Sequence, residues 1–343
     1  MTEQALKDLP QVSVVIPVRN EHDYIRHCLD SVLSQDYPKD LLEILLCLGP
    51  SEDDTEAIIR EYCQKDSRIH LLYNPKGTIS CGLNIGIRAA KGPYIIRMDA
   101  HTEFASDYIS ACIRVSLRTG AANVGGPTAV AGKSPIQRAV ASAYSSSFAL
   151  GGGKQHIENY EGESDTVSYG TFLKSTAESV GLFDEHLILN EDDDYNFRIA
   201  NAGGKIWISP EIKSCYYPRD SYKGLVKQYY GYGLWKPAVI AKHHKPARLS
   251  HLVPAAFVTF LTLGGISSLF SKHCRRLYTL ILAIYLALDV KASFAKEYRK
   301  TPDGIMHNLR LILIHFLLHV SYGTGFIHGI TRFMIRPKLK SER

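Results

Sequence analysis

Tyr94-Ile95-Ile96-Arg97-Met98-Asp99-Ala100-His101 is a short apolar run that delivers a carboxylate and an imidazole, one residue apart, to its carboxyl end. Such a run predicts a buried strand, and an open α/β sheet holds its ligand at the edge where strands of this kind end. The same arrangement repeats along the first third of the chain. Residues 12–16 form a strand-like run followed by Pro17, Arg19, Asn20 and Glu21, and 43–48, 69–72 and 122–125 are further runs of the same type. Helical patterns alternate with them. In the first helix Ile25, Cys28, Leu29, Val32 and Leu33 fall at i, i+3, i+4, i+7 and i+8, and Tyr37-Pro38 stops it. This alternation predicts an α/β domain with a mainly parallel sheet and helices on both faces.

The pattern loosens over residues 128–165, which hold Gly132, Pro135, three serines at 145–147 and Gly151-Gly152-Gly153. A stretch of that length predicts a mobile lid across the mouth of the sheet or a plain surface excursion. Regular structure resumes with a strand at 167–170, a helix at 191–202, a strand at 205–209 and a tyrosine-rich helix at 221–232.

Charge divides the chain near residue 200. Residues 1–199 hold 18 Lys+Arg against 28 Asp+Glu, a net of −10, whereas residues 200–343 hold 22 against 6, a net of +16. The basic part is interrupted by long apolar runs rather than by aromatic or polar grooves, which points to an anionic membrane face and away from nucleic acid. Residues 252–270 are almost wholly apolar or small, nearly long enough to cross a bilayer. The run at 277–290 is shorter, and 309–330 is long but carries His315, His319 and His328. The flanks 236–248, 272–276, 291–300 and 332–343 are all basic and cannot all be cytoplasmic with three simple spans, which leaves two spans with an interfacial helix or three spans with one end outside. Seven cysteines without a Cys-x-x-Cys pair argue for a reducing compartment and against structural zinc or a disulfide framework. Residues 1–10 are polar and carry no apolar signal core, so the amino-terminal domain is expected in the cytoplasm, attached to the cell membrane by the carboxyl-terminal region.

Several motifs occur in order: Val14-Val15-Ile16-Pro17-Val18-Arg19-Asn20-Glu21, Gly49-Pro50-Ser51-Glu52-Asp53-Asp54-Thr55, Asn84-Ile85-Gly86, Asp99-Ala100-His101, Glu191-Asp192, and Gln228 through Trp235-Lys236. Together they resemble the family 2 glycosyltransferases, above all the membrane-attached bacterial enzymes of the succinoglycan glucosyltransferase type. The resemblance covers about residues 12–240 and implies a GT-A fold, a nucleoside-diphosphate sugar donor, a divalent cation (Mn²⁺ or Mg²⁺) and inversion at the anomeric carbon. It divides the chain into a catalytic domain at 1–240 and a basic, apolar membrane-associated region at 241–343. Within the first, 12–125 would be the nucleotide-binding half and 126–240 the acceptor half.

By the same resemblance, Pro17, Arg19, Asn20, Glu21, Asp53, Asn84, Arg97 and Asp99 belong to the nucleotide-sugar site, with Pro17, Arg19 and Glu21 lining the uridine pocket. Asn20 is equally well placed to cap the first helix. Where the family often has an acidic residue before its Gly-x-Ser element, this chain has Leu48. Asp99 supplies an anionic oxygen for a divalent ion, which lowers the barrier to departure of a diphosphate. His101 stands where the family commonly has a second aspartate. Imidazole suits Mn²⁺ and is a poor ligand for Mg²⁺, so His101 either ligates the ion or hydrogen-bonds beside it. An acceptor hydroxyl must lose its proton as it attacks, which requires a carboxylate as general base. Asp192 matches the family's catalytic position, with Glu191 beside it, while Asp193 and Asp194 read as charges favoured at a helix amino terminus. Gln228, Tyr232, Trp235 and Lys236 resemble the Gln-x-x-Arg-Trp element of polysaccharide-forming members, without its Arg or its spacing. They form either an acceptor and diphosphate platform or a packed helix face.

The expected activity is transfer of a hexose from a nucleoside-diphosphate sugar, in particular a uridine diphosphate one, to a hydroxyl of a lipid-linked acceptor in extracellular polysaccharide or cell-envelope glycan synthesis. Two rivals stand beside it: a polyprenyl-phosphate glycosyltransferase, whose ionised acceptor would make Asp192 dispensable, and a non-catalytic membrane scaffold that binds nucleotide.

Overall fold

In the computed structural model the chain forms two compact units, Met1–Ala129 with Ile157–Tyr216, and Val130–His156 with Tyr217–Arg343. The structure describes residues 9–244, 246, 248–295 and 301–335. The outer parts of the last two basic flanks, 296–300 and 336–343, lie outside the described residues, as does most of the polar leader.

The first unit is built on an eight-stranded sheet of order β3-β2-β1-β4-β9-β6-β10-β8. Its strands are β1 (Val12–Val18), β2 (Leu42–Leu48), β3 (Ile69–Tyr73), β4 (Tyr94–Arg97), β6 (Asn123–Gly125), β8 (Gly162–Glu163), β9 (Thr171–Leu173) and β10 (Ile206–Ile208). β3, β2, β1 and β4 pair in parallel, as does β10 with β6, whereas β9 runs antiparallel to β4 and β6, and β8 antiparallel to β10. A small second sheet joins β5 (Thr102–Phe104), β11 (Ser214–Tyr216) and β7 (Thr128–Val130) in the order β5-β11-β7.

β1, β2 and β4 of the parallel half are buried on both faces, which is why they read as continuous apolar runs. Side-chain alternation sends Val14, Ile16, Ile44 and Leu46 into one core with Ile25, Leu29 and Val32 of the first helix. Val15, Leu45 and Cys47 face the opposite core with Leu83, Ile87, Phe172 and Tyr195. The helix Ile79–Ala89 closes on β1 through Gly86, where an added Cβ would lie 2.3 Å from Val15 Cγ1 and 3.1 Å from Cys47 Sγ.

In the second unit Pro135–Ser145 is a regular helix, not the loop expected over 128–165. Ser134 and Gln137 form a reciprocal capping box, Pro135 occupies the first turn, and Ala139, Val140 and Ala143 are buried. These residues pack with Leu225 and Tyr229 of the helix Tyr222–His243 and with Leu311, Ile314 and Leu318 of the helix Ile305–Gly329. The last two helices meet backbone to backbone. A Cβ on Gly233 would fall 2.0 Å from Tyr322 O, and one on Gly325 would fall 2.1 Å from Tyr230 O. Tyr222–His243 also runs past the expected end at 232 and contains Pro237. The strand expected at 167–170 forms instead at 171–173, as β9.

Two helical stretches of the described residues are long and apolar enough to cross a membrane, Leu249–Phe270 and Ile305–Ile335. The helix Lys272–Ser293 is held to Ile305–Gly329 by a buried pair, Asp289 Oδ1 and His315 Nδ1 at 2.7 Å, with Ser293 Oγ donating to the same carboxylate oxygen at 3.2 Å.

Substituting Gly86 with Ala adds helix propensity but forces a methyl group into the filled space beside Val15. Overpacking outweighs propensity here, so G86A should destabilise the protein by about 1–3 kcal/mol, read as a lower melting temperature. An unchanged or raised melting temperature would contradict this packing.

Candidate active site

The first unit gathers its polar residues at the carboxyl edge of β1, β2 and β4. After β1 the chain turns through Arg19 and Asn20, and Asn20 has a φ of 53°, a left-handed conformation that asparagine tolerates better than most residues. This turn is laced to the loop after β2. Asn20 N donates to Ser51 Oγ at 3.1 Å, Asn20 Oδ1 accepts from Glu52 N at 2.9 Å, and Glu21 N donates to Thr55 Oγ1 at 2.8 Å. Asp53 accepts from His22 N and from Thr55 N, each at 3.1 Å, so its carboxylate shapes both loops. Arg19 Nε donates to Pro50 O at 3.2 Å from an exposed position, and Pro17 is half-buried beneath the turn.

At the end of β4 the Arg97 side chain is buried, 7% exposed, and its guanidinium serves two carboxylates. Nε donates to Asp99 Oδ1 at 3.1 Å, and Nη1 lies 3.1 Å from Glu191 Oε1. Burial alone would lower the Arg97 pKa. The charges of Asp99, Glu191 and Asp192 outweigh that and raise it, so the group stays cationic. Burial raises the proton affinity of Glu191, and the Arg97 charge opposes the rise.

Glu191 is the first residue of the helix Glu191–Asn201, entered through Asn190 in a left-handed conformation at φ 62°. Asp192 follows at a half-buried position, and its Oδ1 accepts from Asp193 N at 2.9 Å. Asp194 turns inward, fully buried, and pairs with Arg198 at 3.0 Å, while Arg198 also donates to the carbonyls of Val180 and Leu182. Of the acidic knot, Glu191 and Asp192 therefore lie toward Arg97 and Asp99, and Asp194 is a structural charge. His101 Nδ1 lies 3.1 Å from Glu21 Oε1, and the ring meets Tyr216 edge-on.

The sequence profile described as Glycosyl transferase family 2 matches residues 13–180. A curated relative from Methanococcus voltae, a dolichyl N-acetyl-α-D-glucosaminyl phosphate 3-β-D-2,3-diacetamido-2,3-dideoxy-β-D-glucuronosyltransferase, is 30% identical over 94% of this chain and 99% of its own. The chain belongs to glycosyl transferase family 2. The succinoglycan biosynthesis protein ExoA of Rhizobium meliloti is 30% identical over 71% of this chain and 74% of its own length. Among solved structures, the mannosyltransferase PcManGT from Pyrobaculum calidifontis, in complex with GDP-Man and Mn²⁺, superposes with a TM-score of 0.59 over 91% of this chain and 88% of that one. At 18% identity that likeness establishes the GT-A fold.

In this glycosyltransferase the donor set fits a divalent ion. Asp99 offers a carboxylate and His101 an imidazole whose Nδ1 lies 3.1 Å from Glu21 Oε1, a carboxylate partner of the kind that orients a ligating histidine. Among the described residues no three His, Cys, Asp or Glu side chains close around one point. An ion shared with a diphosphate needs few protein ligands, so a two-residue set suffices.

Five residues named from the sequence are buried or engaged within the protein. Asn84 is buried, with Nδ2 donating to Phe183 O at 2.8 Å and to Glu185 Oε1 at 3.0 Å, and Oδ1 accepting from Phe183 N at 2.9 Å. Its amide holds the loop before the acidic knot. Trp235, in the second unit, is buried against Phe333 with ring centroids 5.0 Å apart, and the Arg332 guanidinium lies over its ring. Lys236 is buried in the same helix. Gln228 Nε2 donates to Tyr232 Oη at 2.9 Å, so these two residues engage each other along the helix. The sequence reading missed the Arg97–Glu191 and Glu21–His101 pairs. The signal available was a permanent charge and a carboxylate set within or beside apolar runs, since a buried charge requires a partner.

N84A would leave the Phe183 N–H and C=O buried without a partner, at about 1–3 kcal/mol each. The melting temperature should fall while the donor KM of the folded protein stays unchanged. A raised KM at an unchanged melting temperature would place the amide on the donor instead.

Proposed function

We propose that this chain is an inverting hexosyltransferase that uses a nucleoside-diphosphate sugar, of the uridine type, and a hydroxyl of a lipid-linked saccharide at the cytoplasmic face of the cell membrane. The observation that carries the reading is the shared guanidinium of Arg97. It holds Asp99 at one end and Glu191, the neighbour of Asp192, at the other, which supports assigning a diphosphate-binding carboxylate and a proton-accepting one to a single site. A scaffold that only binds nucleotide has no need of the second.

Asp192 accepts the acceptor hydroxyl's proton as that oxygen bonds to C1 of the sugar, and the bond from C1 to the diphosphate breaks on the opposite face. An α-linked donor then gives a β-linked product without a covalent sugar intermediate. Asp99 and His101 would hold a divalent cation, which when bound offsets the negative charge gathering on the departing diphosphate. Pro17, Arg19, Asn20, Glu21 and Asp53, on loops fixed to one another, are assigned to base and ribose.

The acceptor assignment draws support from the Methanococcus voltae relative, whose name specifies an acceptor sugar already joined to a dolichyl phosphate. Such an acceptor reacts through a hydroxyl and needs a base. A polyprenyl phosphate acceptor, already ionised, would not. Membrane attachment draws support from the second unit, where Leu263, Ile266, Leu269, Phe270, Leu280 and Ile284 are exposed, Phe270 by 84%. Contiguous apolar exposure on this scale fits acyl chains better than water. Arg248, Lys272, Arg275 and Arg276 at the helix ends suit anionic headgroups.

Membranes containing the protein, incubated with a panel of labelled nucleotide sugars, should yield one lipid-extractable product detected by mass analysis. Chelation with EDTA should lower that yield at least about tenfold, and Mn²⁺ should restore it better than Mg²⁺ because of the imidazole ligand. No product from any donor, or a yield indifferent to chelation, would overturn the reading.

A further inference from the structure

Arg97 stands among the donor-binding residues in the sequence reading, yet its side chain is buried between two carboxylates. Each carboxylate it meets is itself largely buried, with side-chain exposures of 18% for Asp99 and 6% for Glu191. Its Nε and Nη2 both donate to Asp99, at 3.1 and 3.5 Å, and Nη1 forms an ion pair with Glu191 Oε1 at 3.1 Å without hydrogen-bond geometry. Its backbone N–H donates to Gly170 O at 3.0 Å, which pins the strand end from which the side chain extends.

We propose that Arg97 is a positioning residue: its guanidinium spans from Asp99 to Glu191 and so sets the distance between the leaving-group end of the site and the helix that carries Asp192. This rests on the glycosyl-transfer reading and adds to it a role for a residue that touches neither sugar nor phosphate. The geometry explains why the group is an arginine. A planar fork presents donors to two carboxylates at once and keeps them a fixed span apart, whereas the single ammonium of lysine is a point charge on a flexible stem. Glu191 opens its helix and Asp192 is the next residue, so a displacement of Glu191 is passed directly to the base. Asp99, two residues beyond Arg97, is fixed from the other side by the same group. Displacement of a reacting group by about 1 Å costs on the order of 100-fold in rate.

The test uses the full-length protein in membranes with the donor that wild type accepts. R97K keeps the positive charge and should fold, bind donor with a KM within about threefold of wild type, and turn over on the order of 100-fold more slowly. R97A should be slower still, and added guanidinium ion should recover part of its turnover by entering the vacated space between the carboxylates. A structural role alone would lower the melting temperature of R97A without rescue by guanidinium. A direct donor contact would raise the KM of R97K while kcat held. Either result, or turnover of R97K equal to wild type, overturns the proposal. Absence of transfer by wild type with every donor would instead remove the underlying reading, so the two failures are distinguishable.

Discussion

A guanidinium taken out of water must be surrounded by negative charge, and the site is organised around that requirement. Arg97 ends β4 inside the protein, and the only way to keep it there is to bring carboxylates to it from the strand end and from a distant helix. Two otherwise unrelated stretches, 97–101 and 190–194, are thereby held to one another. The same condition turns Glu191 toward the interior and leaves Asp192 at its half-buried margin, where a proton acceptor is useful. Desolvation of Glu191 and the opposing charge of Arg97 keep the two groups dependent on each other.

The fold supplies the edge on which this happens. β1 and β2 run in parallel and end together at Val18 and Leu48, and β4 runs parallel to β1 and ends beside Val15, so their following loops emerge at one edge. The loops after β1 and β2 are then locked by Asn20, Asp53, Thr55 and Ser51 rather than left to settle on a ligand. Glu21, fixed by Thr55, in turn reaches His101. A chain of hydrogen bonds thus runs from the expected base-binding loop to the expected metal ligand. The second unit is built by different means, with glycines that let helix backbones touch and a buried aspartate–histidine pair among apolar helices. Polar pairs in such surroundings fix helix register where apolar packing alone allows sliding.

Much of the first unit was legible because β1, β2 and β4 are buried on both faces and announce themselves as apolar runs. The first helix was legible because its spacing is regular. The helix Pro135–Ser145 was not, since its proline and serines, with Gly132 before it and three glycines at 151–153 after it, resemble a loop, and the capping box of Ser134 and Gln137 that starts it is a two-residue signal. The helix Tyr222–His243 was cut short where its tyrosine-rich pattern ends at 232, although tertiary packing against glycine-bearing turns carries the helix on through Pro237. At the site, motif order located Asp99, His101, Glu191 and Asp192 but could not assign partners. Asn84 was placed on the donor although its amide is engaged by Phe183, and Arg97 was placed there although it faces two carboxylates. Neither set of partners was legible for one reason: residues far away in the chain leave no local pattern.

Separating donor binding from transfer in D192N probes the account where it is most exposed. Calorimetric titration with the donor and Mn²⁺, alongside single-turnover transfer to the lipid acceptor, should give a donor affinity within about threefold of wild type and a transfer rate at least about 100-fold lower, the usual range for removal of a general base. Transfer by D192N at the wild-type rate would contradict the assignment of Asp192 and, with it, the single site held together by Arg97.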